Sequence, residues 1–305
     1  MTNITIEKIK HLDNKPPKFK PISVPQPKLP HIQKLFYCAV SVGQRGSGKT
    51  WSIVKMLLNQ EKSGFYNKET GGDCAIRHIL FSPTISNNPV FNSLRFLDDD
   101  DKHNDYSEDK LADILEELRL EREHTKEFNN YCVAYKKYEK MSDKEFSRWK
   151  DRDSILLLNA YEFIHPKELE QPKYPHGCIT NIILDDILAN KDAFNSKKCN
   201  TLSKAVVNGR HHYINVFIAA QNLKSVTKMV RSNTEVWMLF PCKSLKIILD
   251  DIYPEISGVV TEQEFLDLYH TATNEKHNCL VIDQKDEDDV IFKRNFDEIL
   301  RYGNN

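Results

Sequence analysis

The chain has 305 residues, 40% of them hydrophobic and 29% charged, with a formal net charge of -1. It is long enough to bury a full core, and its near-neutral balance excludes a global electrostatic pull toward nucleic acid, so any such contact must come from local patches. Seven cysteines stand at 38, 74, 132, 178, 199, 242 and 279 without a C-x-x-C pair, which argues against a disulfide framework and against a zinc ribbon and fits a reducing compartment. No apolar run approaches the roughly 18 to 20 residues of a membrane span, and no apolar signal core opens the chain, so a soluble, intracellular protein is expected.

The first 30 residues interleave Pro16, Pro17, Pro21, Pro25, Pro27 and Pro30 with lysines at 8, 10, 15, 18, 20 and 28. Proline at that density prevents regular helix or central strand, so residues 1–34 read as an extended arm. Its lysines suit a phosphate backbone or a neighbouring subunit, and a leader that wraps its own domain suits them equally. From residue 35 to 305 the pattern is that of one α/β domain.

That domain opens on an apolar run, Leu35 to Val42, followed by Gly43-Gln44-Arg45-Gly46-Ser47-Gly48-Lys49-Thr50. This octet matches the phosphate-binding pattern G-x-x-x-x-G-K-[ST] at every fixed position. The residues after it keep a helical period through Ile53, Met56 and Leu57, with Gly64 as a stop. Strand, glycine loop and helix are the setting such a loop needs. The glycines let backbone N–H groups curl around phosphate oxygens at a helix N-terminus, Lys49 reaches the β- and γ-phosphates of ATP, and Thr50 ligates Mg²⁺.

Ala75 to Phe81 predicts a second strand. Beyond the acidic run Asp98 to Asp101, Leu111, Ile114, Leu115 and Leu118 recur at helical spacing, with helix continuing through Tyr131, Tyr135 and Tyr138. Ser142 with Glu145 resembles a capping box, so about 100–150 reads as a charged helical insertion, for which a solvated face is the ordinary explanation. Ser154 to Ala160 suits either a core strand or the end of the preceding helix, and periodicity does not separate the two.

Cys178 to Asp186 is an apolar strand with two carboxylates at its C-terminal end, where ligands sit in open α/β sheets. Asp185 is the candidate Mg²⁺ ligand and Asp186 the candidate base for the attacking water; capping of a following helix is the structural alternative. Thr201 to Asn208 predicts a helix ended by Gly209, followed by Arg210, His211 and His212 in a turn. The histidine pair has no third ligand at metal spacing and reads as polar residues at a subunit or nucleotide edge. Asn215 to Gln221 is a further strand whose terminal Gln221 suits a sensor of the γ-phosphate or the water, or else an amide satisfying loop backbone. Arg231 precedes a strand from Glu235 to Phe240. Either Arg210 or Arg231 suits a finger supplied across a subunit boundary, with surface salt bridging as the alternative. Helices at Lys246–Tyr253 and Glu262–Thr271 and a hairpin, Cys279–Asp283 with Val290–Lys293 around the acidic turn Asp286–Asp289, complete the reading.

The order of these motifs resembles the genome-packaging ATPases of large nucleocytoplasmic DNA viruses, of poxvirus type, in the FtsK and HerA group of P-loop motors. The segment NGRHHYINVFIAAQNLKSVTKMVRSNTEVWMLF, residues 208–240, carries the likeness most specifically. The resemblance implies a RecA-like (ASCE) core, with a mainly parallel sheet flanked by helices. It also implies a homo-oligomeric ring of six or five copies, ATP and Mg²⁺ between subunits, double-stranded DNA in the channel and a capsid or portal-vertex protein as docking partner. The location it implies is the host cytoplasm at the viral factory, and the virion. Lys49 and Thr50 then match the nucleotide loop, Asp185 and Asp186 the acidic strand end and Gln221 the sensor; many members of the group have Glu where Asp186 stands. A nucleotide-binding switch or scaffold is the alternative from another class, and a nucleotide kinase a further one.

Overall fold

The strand Cys38–Val42 (β1) is buried along its whole length, as an apolar run flanked by strands and covered on both faces must be. The computed structural model to which it belongs describes residues 24–187, 201–242, 245–285 and 290–302. Around β1 the chain builds, in order, helix Lys49–Ser63 (α1), strand Ala75–Phe81 (β2), helices Glu108–Tyr138 (α2) and Arg152–Ala160 (α3), and strand Cys178–Asp185 (β3). Then come helix Thr201–His212 (α4), strands Ile214–Ala220 (β4) and Thr234–Leu239 (β5), and helices Leu245–Asp251 (α5) and Glu262–Ala272 (α6). Strands Leu280–Asp283 (β6), Ile291–Arg294 (β7) and Glu298–Leu300 (β8) close the chain.

The main sheet runs β8-β7-β6-β5-β1-β4-β3-β2 and ends on a two-residue strand, Lys102–His103. From β5 to Lys102–His103 all pairings are parallel; β6, β7 and β8 extend the sheet antiparallel beyond β5. Parallel strands alternate their side chains between two faces, and two apolar clusters result. On one face α1 buries Ile53, Val54, Met56 and Leu57 against Phe217, Ile183 and Met238. On the other, α2, α4, α5 and α6 cover Val40, Ile182, Val216, Ile218 and Trp237. The fold is therefore a three-layer α/β sandwich with a mostly parallel sheet.

Beneath α1 the apolar layer is interrupted by a fully buried polar ladder. Gln60 on α1 donates to the Tyr37 hydroxyl and accepts from Asn181 Nδ2 at 2.9 Å. Asn181 in turn accepts from Asn215 at 2.8 Å and lies 3.1 Å from His78 Nδ1, and His78 Nε2 meets Glu61 at 3.0 Å. Each buried polar group finds a partner on a different element, so the ladder fixes α1 against β2, β3 and β4 in one register.

The charged stretch at about 100–150 is largely helical. Its α2 is about 46 Å long at 1.5 Å per residue, begins at a Ser107 cap and carries the expected capping box at Ser142 and Glu145 just beyond its end. The first half lays Leu111, Ile114 and Leu118 on the sheet; the second half, with α3, encloses a small aromatic core of its own around Tyr131 and Leu158. The ambiguous 154–160 run is helix, capped by Asp151, because Leu157 and Leu158 pack on α2 and not in the sheet, while Leu156 is exposed. Gly209 does not end a helix. α4 continues through it to His212, and a Cβ at 209 would lie 2.8 Å from the Ile214 carbonyl oxygen, so glycine is there for close approach to β4. The arginine-histidine turn is thus the last turn of α4. Of the arm, Gln26–Pro27 pairs antiparallel with Phe65–Asn67; residues 1–23 and the acidic turn 286–289 lie outside the described residues.

Candidate nucleotide site

The loop 43–50 joins the C-terminal end of β1 to the N-terminus of α1. The Gly43 N–H donates to the Ala220 carbonyl at 3.1 Å, which ties the loop to the end of β4, and the Phe240 N–H donates to Val42 at 2.9 Å on the other side. A Cβ on Gly43 would stand 2.6 Å from both Phe240 Cβ and Ser47 Oγ, so only glycine permits this floor. Gly48 is the N-cap of α1 with φ +110°, a conformation that side chains disfavour. The first α-helical bond comes from Ser52 N to Gly48 O, which leaves the N–H groups of residues 49–51 without a partner inside the helix, the arrangement that suits an anion at a helix N-terminus.

Lys49 is buried, and its ammonium donates to the carbonyls of Gly43 and Gln44, both at 2.9 Å. Burial lowers its pKa, with Asp185 and Asp186 pulling the other way. Thr50 Oγ1 donates to the Asp185 carboxylate, 3.0 Å from Oδ1 and 3.2 Å from Oδ2. The two residues are 135 positions apart in sequence, and the fold brings them into contact because β3 and β1 run parallel with their C-terminal ends level. Asp185 is 3% exposed, and burial pushes its carboxyl up to about 6, Asp186 adding to the rise while Thr50 and Lys49 oppose it. A hydroxyl and a carboxylate form a hard oxygen pair that fits Mg²⁺, which takes one or two carboxylates and fills its sphere with phosphate oxygens and water. Among the described residues no group of three or more His, Cys, Asp or Glu could hold a metal unaided. Ser47 Oγ, buried without a protein partner, is a further oxygen donor turned into the loop.

Asp186 follows the strand with φ +56°, in the left-handed region that aspartate tolerates better than most residues, and its side chain is exposed beside the loop. Gln221, just past β4, donates from Nε2 to Asp186 Oδ1 at 2.6 Å. Because β4 lies between β1 and β3, its terminal amide lands beside both the loop and the acids. Lys49, Thr50, Asp185, Asp186 and Gln221 are thereby gathered at one end of the sheet; Gln44, Arg45 and Gly46 are exposed at the loop tip.

Arg210 and Arg231 are elsewhere. Arg210 lies in the last turn of α4, ahead of β4, and Arg231 ends the short helix Lys228–Arg231, ahead of β5. Both therefore sit at the N-terminal edge of the sheet, separated from the loop of their own chain by a strand length of about 20 Å. Arg210 is exposed, with Nε 3.4 Å from His211; Arg231 is bound to Asp251 at 2.5 Å. The histidines 211 and 212 share that edge. Two residues that carry no motif border the loop as well. Phe240 forms its floor, and His277, at φ +71°, places Nδ1 3.2 Å from the Ser47 carbonyl. Phe240 is readable only as a strand end, and nothing in the residues around His277 points to the loop.

No protein-family profile matches the sequence. Over 140 residues, 44% of its length, the chain is 26% identical to an uncharacterized protein, 075L, of Invertebrate iridescent virus 6, and it spans 53% of that relative. Among solved structures it is similar to the genome packaging NTPase B204 of Sulfolobus turreted icosahedral virus 2 in complex with AMPPCP, at 12% identity and TM-score 0.44, covering 84% of this chain and 96% of that one. It is also similar to EssC (ATPases 2 and 3) from Geobacillus thermodenitrificans, at 13% identity and TM-score 0.46, covering 91% of this chain and 43% of that one. Likenesses this distant say nothing about the reaction, which rests on the residues described above. No described helix is long and apolar enough to cross a membrane.

Proposed function

We propose that the chain is an ATP-driven DNA translocase that packages a viral double-stranded DNA genome into a preformed capsid, acting as a ring of five or six copies. The observation that carries the ATPase part is the contact of Thr50 with Asp185 inside a complete phosphate-loop sequence. The insertion of β4 between β1 and β3 supports the RecA-like reading, since it delivers Gln221 to the same site. The sequence likeness to a protein of an invertebrate iridescent virus supports a viral setting.

In this reading the loop N–H groups and Lys49 bind the β- and γ-phosphates of ATP. Mg²⁺ held by Thr50 and Asp185 would supply neutralising charge on the phosphate oxygens. Asp186 accepts the proton of the attacking water, and Gln221 orients Asp186 through its 2.6 Å hydrogen bond. Arg210 or Arg231 completes the site only from a second copy, because neither reaches the loop of its own chain. The same Gln221 contact also suits a nucleotide-bound switch or scaffold, in which it holds the acid away from water. Hydrolysis by the purified chain with and without double-stranded DNA separates the two. The motor reading expects DNA to stimulate turnover in a ring-sized assembly; nucleotide binding by a monomer indifferent to DNA leaves only the switch.

A further inference from the structure

We infer that Trp51 is the platform on which the nucleobase stacks. This deepens the proposed nucleotide site and rests on it. The protein has three tryptophans. Trp237 is fully buried and Trp149 half-buried in the insertion, whereas Trp51 is 53% exposed. It is the third residue of α1, a helix whose other large apolar side chains are buried or half-buried. An indole held open at that place is poised for a flat, apolar partner.

The surroundings fix which partner. Thr50 turns inward to Asp185, and Ser52 turns to Cys279, with Oγ and Sγ 4.0 Å apart. At 100° per residue Trp51 therefore projects outward, on the face it shares with Lys55 one turn on, which pairs with Asp297. The γ-phosphate end of a nucleotide must lie toward Asp186 and Gln221, where the water-activating groups are. Its α-phosphate and sugar then leave the loop over the unpaired N–H groups of residues 49–51, and the base emerges at Trp51. His277, against the Ser47 carbonyl, borders the loop on the Cys279 side. The indole meets the base by its face, which every base presents, so it grips the ring without reading the base edge, and adenine and guanine stack alike.

The test uses the full chain and two probes, Mg²⁺ with the non-hydrolysable ATP analogue AMPPNP and Mg²⁺ with inorganic tripolyphosphate, which carries the phosphates without sugar or base. Titration calorimetry of Trp51→Ala is expected to show AMPPNP binding weakened about ten-fold, tripolyphosphate binding unchanged, and near-normal AMPPNP binding in Trp51→Phe. AMPPNP should also quench the wild-type tryptophan emission more than tripolyphosphate does. Unchanged AMPPNP affinity in Trp51→Ala, while Lys49→Ala loses both probes, would overturn the platform and leave the phosphate site standing. Equal weakening of both probes in Trp51→Ala would overturn it too, assigning the indole to the loop's fold. Loss of assembly at unchanged AMPPNP affinity would assign it to a subunit contact. Binding of neither probe by the wild-type chain would bring down the nucleotide site itself.

Discussion

The two edges of the main sheet differ in what they collect. At the C-terminal edge of the parallel strands stand the phosphate loop, Lys49, Asp185, Asp186 and Gln221; at the N-terminal edge stand Arg210, His211, His212 and Arg231. Parallel pairing gives every strand end a common direction, so a strand that delivers a carboxylate to one edge delivers whatever precedes it to the other. The consequence is a site with its candidate phosphate-binding and water-activating groups gathered together and its candidate transition-state arginines out of reach. In a head-to-tail ring the N-terminal edge of one copy can meet the C-terminal edge of the next, which would turn the separation into a shared site.

This contrast breaks most sharply at the loop. Lys49→Ala is expected to abolish both nucleotide binding and turnover, and unchanged hydrolysis in that variant would remove the C-terminal edge as the site. Arg210→Ala is expected to lower turnover about a thousand-fold, the scale of a lost arginine finger, while nucleotide binding measured by calorimetry is retained. Normal turnover there moves the role to Arg231.

Asp185 sharpens the comparison through pH. Its carboxyl is raised from 3.8 to about 6 in the folded chain, so the native state holds the proton more tightly than the unfolded one. Stability from this group is therefore present below about pH 4 and is lost as pH rises to about 6, an upper-bound penalty of about 3 kcal/mol at pH 7. Asp185→Asn is expected to melt higher than wild type at pH 7 without nucleotide, the advantage vanishing near pH 4, and to lose hydrolysis. Wild-type kcat/KM, which reports the chain before Mg²⁺ and nucleotide bind, should fall as pH drops through about 6. A melting difference that does not change with pH would contradict the burial argument.

The smallest effect belongs to Arg231. Its guanidinium is about one-fifth exposed and paired with Asp251, so if the pair is purely structural Arg231→Ala costs about 1 kcal/mol in chemical denaturation and leaves turnover intact. A collapse of turnover with stability retained would make Arg231 the finger.

How far the sequence carries depends on whether the information is local. The loop, α1, β2, β3, β4 and the Asp185-Asp186 end were legible because each is a contiguous pattern whose chemistry requires its spacing. The same holds for the capping box at Ser142. Residues 154–160 were not decidable, since a run of leucines serves a buried strand or a helix equally, and only packing on α2 settles it. Gly209 reads locally as a helix stop, yet its reason is a backbone 2.8 Å from where its Cβ would lie, which depends on β4. Strand order was likewise invisible. The strands after Arg210 and Arg231 both pair parallel with β1 and so run away from those residues toward the loop, and this pairing decides that neither arginine serves its own site. Phe240 and His277 reach the loop from late segments by tertiary contact alone.

The central claim is that the site is completed across two copies, and mixing inactive variants tests it most directly. Lys49→Ala and Arg210→Ala chains, each without turnover alone, are combined in equal amounts and assayed for ATP hydrolysis with double-stranded DNA. Random head-to-tail assembly pairs an intact loop with an intact arginine at about a quarter of the interfaces, so the mixture is predicted to recover activity up to about that fraction. A mixture as inactive as its parts, from chains that co-assemble, would contradict the shared site.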